Sequence, residues 1–166
     1  MESPSAYELY HSGLELLEQG DNHAAALPLG RARDLEPDTA MVREALGRAL
    51  FGAQRYREAA DEFAALVELQ PLNHYGQFCL GRALQLQGLH ARARPPLTLA
   101  ALLQPDRADY RVYRDRTVAA LEAGEGADAV PEPPADAPPS RRSGAGPWGA
   151  PDGPAPHASG DQGPAA

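Results

Sequence analysis

Pro37, Pro71 and Pro105 stand 34 residues apart, and the residues ahead of each recur in register with them. Twelve positions before each proline lies an alanine (Ala25, Ala59, Ala93), and twelve before that a glycine (Gly13, Gly47, Gly81). The flanking strings agree as well: Leu35-Glu36-Pro37, Leu69-Gln70-Pro71 and Leu103-Gln104-Pro105, with Gly47-Arg48-Ala49-Leu50 returning as Gly81-Arg82-Ala83-Leu84. A period of this length describes one supersecondary unit stacked on copies of itself. A single short unit cannot hide its apolar face, so the copies must share a continuous core.

Within each unit the apolar residues fall at helical spacing in two stretches, as in Leu9, Leu14, Leu16 and Leu17, then Ala24, Ala25, Leu27, Leu29 and Ala32. Gly20-Asp21-Asn22 separates them with a helix-ending glycine and a capping aspartate. The same layout predicts helices near 40–53, 56–69, 74–87 and 90–103. Asp38 and Asp106 follow prolines where the next helix must begin, which predicts them as caps. The recurrent glycines and alanines predict close approach of the two helices in a pair, where a larger side chain would overpack them. Pro28, Pro95 and Pro96 fall about six residues into second helices, where the ring and the missing N–H predict a late start or a bend. The second unit has Glu62 at that place. A fourth unit begins at Ala108 with Tyr110, Val112, Tyr113 and Val118 at helical spacing, but Arg114 and Asp115 replace its Leu-Gly pair, as suits a capping helix.

Composition divides the chain near Gly124. Residues 124–166 hold 10 of the 17 prolines and 8 of the 16 glycines, and Trp148 is their only aromatic, so a disordered tail is expected there. Both parts carry a net charge of −4, within a total of −8, which argues against a nucleic-acid partner. All 15 basic residues are arginine. Cys79 is the sole cysteine, which excludes an intrachain disulfide and a cysteine-built zinc cage. His11, His23, His74 and His90 offer no ligand-spaced pair on one helix face, so no metal or other cofactor is expected. No Ser-His-Asp or Cys-His grouping and no phosphate loop is present, and an enzyme is not expected. The first ten residues lack the apolar stretch of a signal peptide, and no apolar run reaches the roughly 20 residues of a membrane span. A cytoplasmic protein without a membrane segment is the expectation.

Over residues 6–105 the chain resembles the tetratricopeptide repeat. The likeness lies in Ser12-Gly13, Leu46-Gly47 and Leu80-Gly81, in Ala25-x3-Leu29, Ala59-x3-Phe63 and Ala93-x3-Leu97, and in the closing prolines. It departs where the family's tryptophan is Leu9, Arg43 or Gln77 and its tyrosine is Leu16, Leu50 or Leu84. The resemblance implies an all-α, right-handed α-solenoid of three helix-turn-helix repeats, about 6–39, 40–73 and 74–107, with a capping helix over 108–123 and the tail over 124–166.

In this family the first helices of successive units line a concave groove that receives a peptide or a helix. Carried over, the groove side holds Tyr7, Tyr10 and Leu14, then Met41, Glu44 and Arg48, then Tyr75, Phe78 and Arg82, with Val112 and Arg116 from the capping helix. Arg48, Arg82 and Arg116 share the 34-residue spacing, predicting a ladder of guanidinium groups suited to an acidic peptide, unless neighbours such as Glu44 and Asp109 neutralise it. Some members of the family hold the carboxy-terminal carboxylate of heat-shock chaperones in a lysine and asparagine clamp. The matching places here are Tyr10, Leu14 and Ala45, and none can do that job. The expected function is an adaptor binding a partner protein in the groove. The alternative is a structural subunit packed permanently in a homo- or hetero-oligomer. The acidic tail, with Glu125, Asp128, Glu132 and Asp136, could fold back on the arginine side and compete with a ligand.

Overall fold

The computed structural model describes residues 2–126, so nearly all of the predicted tail, with its proposed fold-back, lies outside the described residues. Seven α-helices follow in order: α1 (Ala6–Glu18), α2 (Asn22–Leu35), α3 (Ala40–Gly52), α4 (Tyr56–Leu69), α5 (His74–Leu86), α6 (His90–Leu103) and α7 (Ala108–Glu122). Each packs mainly on the helix before and the helix after it, and α1 also reaches α3 as α5 reaches α7. This is an all-α solenoid of three helical hairpins closed by a single helix, with boundaries within about two residues of those read from the period.

Side-chain caps account for three of the seven helix starts. Ser5 and Glu8 form a reciprocal capping box, with Glu8 N donating to Ser5 Oγ at 3.2 Å and Ser5 N to Glu8 Oε2 at 2.8 Å. Asp21 accepts from Ala24 N at 3.1 Å, and Asn73 accepts from Gly76 N at 2.9 Å. Asp38 and Asp106, in contrast, are not the caps. Thr39 and Arg107 occupy the N-cap positions and make no side-chain cap bond, because each helix starts two residues after the aspartate.

Gly20 and Gly88 end the first helices of units one and three with φ of 79° and 73°. Gln54 stands in the same register with φ of 62°, in the left-handed region where a Cβ is strained. Replacing Gln54→Gly is therefore expected to raise stability by about 1 kcal/mol, read as a higher urea midpoint at unchanged slope.

The prolines do not delay their helices. α2, α4 and α6 start in register at Asn22, Tyr56 and His90, although Pro28 lies within the first and Pro95 and Pro96 within the last. The carbonyls deprived of a donor belong to Ala24, Ala91 and Arg92; the last two residues are exposed and Ala24 partly so, so water can satisfy these groups.

The recurrent glycines act as the period implied. A Cβ built at Gly13 would lie 2.3 Å from Leu29 Cγ, at Gly47 2.8 Å from Phe63 Cε1, and at Gly81 2.4 Å from Leu97 Cγ. Leu29, Phe63 and Leu97, together with Ala25, Ala59 and Ala93, are wholly buried. The departures at the tryptophan place also acquire a cause. Arg43 Nε donates to the carbonyl of Pro37 at 2.8 Å, Gln77 Nε2 to that of Pro71 at 2.9 Å, and Arg111 Nη1 to that of Pro105 at 2.9 Å. A polar side chain thus satisfies the carbonyl of each closing proline. Leu9, at the same place in the first unit, instead packs on Ala32 and Val42.

Arg43 has a second role. Its Nη1 meets Glu62 Oε2 at 2.7 Å, and Arg33 Nη1 meets Glu62 Oε1 at 2.6 Å. The glutamate that stands where the other units carry Pro28 and Pro96 therefore joins α2, α3 and α4 through a buried carboxylate between two guanidiniums.

Candidate functional site

The face made by the first helices carries a group of residues from α1 to α5 that lie within one another's electrostatic field. Tyr10 of α1 lies in the field of Glu44 and Arg48 of α3; burial first, then Glu44, pushes its phenol pKa up, against Arg48. Tyr75 of α5 faces Arg48 and Glu44 from the other side, and burial first, with Cys79 next, raises its pKa strongly. Cys79 is fully buried beneath it, and that burial pushes the thiol up, while a hydrogen bond with Tyr75 opposes the shift. Tyr10, Glu44, Arg48 and Tyr75, four of the predicted residues on three helices, are therefore neighbours.

Tyr7 on α1 and Met41 on α3 are open, 71 % and 62 % exposed. The His11 ring lies against both Tyr7 and Tyr10, with its centroid 4.2 Å from that of Tyr7 and 5.6 Å from that of Tyr10. Leu14 is half-buried.

At the α5–α7 end the structure corrects the expected surface. Phe78 is 2 % exposed, with its ring stacked on Tyr110 at 4.4 Å between centroids, so it belongs to the joint with the capping helix. Tyr110 is wholly buried and bonds His74 Nδ1 through its hydroxyl at 2.9 Å. Arg82 is 9 % exposed, and its Cζ lies 3.8 Å from the centroid of the Tyr113 ring. The physical cause is register. Cys79 stands 34 residues before Tyr113, so α5 sets a small side chain near Arg48 where α7 lays the Tyr113 ring over Arg82, with Tyr110 stacked on Phe78.

The arginines consequently form no uniform ladder. Arg48 is half-buried between two tyrosines, Arg82 is sunk against α7, and Arg116 is exposed with its Cζ 5.1 Å from the Tyr113 centroid. Burial lowers the Arg82 pKa, Tyr113 opposes, and the nearby Arg116 lowers it further. Asp109, named as a neutralising neighbour, is instead held by Arg107 at 2.6 Å, which keeps its carboxyl below the usual range. Val112 is 44 % exposed on the same helix.

Three residues absent from the sequence-based site surround Arg82. Gln85 accepts from Arg82 Nη1 and donates to the Tyr113 carbonyl at 3.1 Å and to Thr117 Oγ1 at 2.8 Å. Tyr113 supplies the ring, and the Tyr56 hydroxyl senses the Arg82 charge. Extending the 34-residue register to Tyr113 would have found the ring, whereas Tyr56, on a second helix, left no such signal.

A family model described as the tetratricopeptide repeat matches residues 10–73 and 44–112. No curated protein sequence matches the chain. Among solved structures, the first repeat domain of Spaghetti (RPAP3), bound to an HSP90 peptide SRMEEVD, superposes with a TM-score of 0.66 at 17 % identity, covering 74 % of this chain and 97 % of that one. YrrB, described as having an unusual peptide-binding site, gives 0.63 at 22 % identity over 68 % of this chain and 58 % of its own. MamA from Desulfovibrio magneticus RS-1 gives 0.67 at 20 % identity over 74 % of this chain and 68 % of its own. At these identities the likeness is one of fold.

Proposed function

The chain belongs to the tetratricopeptide-repeat family, and from that premise we propose that it is a protein-interaction module, without chemistry of its own, whose first-helix face receives a segment of a partner protein. The observation that carries this reading is the group of Tyr10, Glu44, Arg48 and Tyr75, which spans three repeats in a row and mixes aromatic, acidic and basic side chains. Tyrosine and arginine are over-represented among residues that dominate binding energy. Tyr7 and Met41, large and exposed on α1 and α3, extend the apolar area available to a partner. Two of the structural neighbours are described as binding peptides, and the reading carries only that mode over, not their ligands. Among the described residues, none of Arg48, Arg82 and Arg116 is engaged in an ion pair, which favours an acidic segment. The described helices contain none long and apolar enough to cross a membrane, and the cytoplasmic setting belongs to the same proposal.

The test begins with capture of partners from the native extract on the full chain, followed by calorimetry with the purified partner. Tyr10→Ala and Arg48→Ser are expected to weaken that binding about tenfold each. Equal affinity for both variants and the wild type would overturn the reading. Arg82→Ser is a poor probe because it empties a buried site. Sedimentation of the purified chain separates the adaptor from the permanent subunit: a monomer supports the first, a concentration-independent dimer the second.

A further inference from the structure

Among the described residues, Arg82 is a buried cation without a counterion. Nine-tenths of the residue is removed from solvent, its Nε is sealed away with no hydrogen-bond partner, and no carboxylate of the described residues pairs with it. A guanidinium cannot escape that cost by deprotonating, so a buried one ordinarily sits against an anion. Here the charge that reaches it from α7 is a second cation, Arg116, near the same Tyr113 ring. The aspartates of α7 are engaged elsewhere: Asp109 with Arg107 at 2.6 Å, and Asp115 with Arg114 at 2.8 Å. Meanwhile Gln85, tied to the Tyr113 carbonyl and the Thr117 hydroxyl, holds the Arg82 guanidinium in one orientation.

We propose that Arg82 and Arg116, gathered on the Tyr113 ring between α5 and α7, form a preformed anion pocket that receives a carboxylate of the bound partner segment. The pocket rests on the interaction-module reading and deepens it by fixing where along the first-helix face the acidic group goes. A fixed guanidinium edge favours a planar, two-oxygen anion, and its orientation is settled before the ligand arrives. An incoming carboxylate relieves the repulsion between two cations that the fold holds together. The capping helix thus contributes half of a site as well as closing the core.

The full chain labelled with ¹⁵N provides the test, because the Arg82 Nε–Hε group, shielded from water, reports its surroundings directly. Titration with succinate at ionic strength matched by sodium chloride is expected to give a saturable shift, and the neutral analogue succinamide none. Arg116→Ser, at an exposed position, is expected to weaken succinate binding about tenfold without disturbing folding. A shift that follows ionic strength alone, or saturable binding unchanged in Arg116→Ser, would overturn the pocket. Two short acetylated peptides identify the source of the carboxylate: one with an internal glutamate and an amidated end, the other with glycines and a free carboxyl end. Displacement of succinate by either supports the pocket, and displacement by neither refutes it. A partner whose affinity falls with Arg48→Ser but not with Arg116→Ser would refute the pocket and leave the interaction-module reading standing.

Discussion

Glu62→Ala is expected to remove about 3 kcal/mol of stability, lowering the melting temperature by roughly 12 °C for a domain of this size. The carboxylate is buried, and each of its oxygens is taken by a different guanidinium, Arg33 of α2 and Arg43 of α3, at 2.6 and 2.7 Å. Removing it leaves two cations facing each other across a partly desolvated gap, and the loss comes from those stranded charges more than from the missing attraction. The arginines retain some access to water, which places the effect near the lower end of the range for a broken buried pair. The check is a denaturation series with the triple variant Glu62→Leu, Arg33→Leu and Arg43→Leu beside it. If charge stranding is the cause, the triple variant recovers most of the loss. If Glu62→Ala melts within about 2 °C of the wild type, the triad contributes nothing and the argument fails.

Gly81→Ala is the second large effect, a net loss of about 2 kcal/mol even though alanine is favoured over glycine inside a helix by about 1 kcal/mol. The new Cβ would meet Leu97 at its branching carbon, 2.4 Å away, and at its backbone nitrogen, 3.2 Å away. Leu97 is wholly buried, so relief requires α5 and α6 to separate. Gly13→Ala should behave alike, with Leu29 Cγ at 2.3 Å. Gly47→Ala should cost less, because the obstacle is the far end of the Phe63 ring at 2.8 Å, which moves more easily than a branching carbon. Thermal denaturation of the three variants tests the order. A Gly81→Ala protein as stable as the wild type would mean that the hairpin opens at no cost.

Much of this molecule was legible in residue order. The 34-residue register placed the seven helices, marked each recurrent glycine as a point of close approach within a pair, and marked the helix after Pro105 as the closing one. It also misdirected at identifiable points. The prolines at 28, 95 and 96 implied late starts, but the carbonyls they strand lie where water can reach them. Arg43 and Glu62 looked like independent departures from the repeat and are bonded to each other. Of the candidate site, Tyr10, Glu44, Arg48 and Tyr75 lie near one another, while Phe78 and Arg82 are buried.

The sequence by itself determined the period, the helix boundaries and the contacts inside each hairpin. These depend on separations along the chain and around one helix axis, and both are written in residue spacing. The tertiary structure alone decided how far each arginine is exposed. Arg48, Arg82 and Arg116 are equivalent in register, but their exposure depends on what the next unit lays over them. Arg48 next to small Cys79 stays half-open, Tyr110 and Tyr113 bury Phe78 and Arg82, and Arg116 has no described helix beyond it.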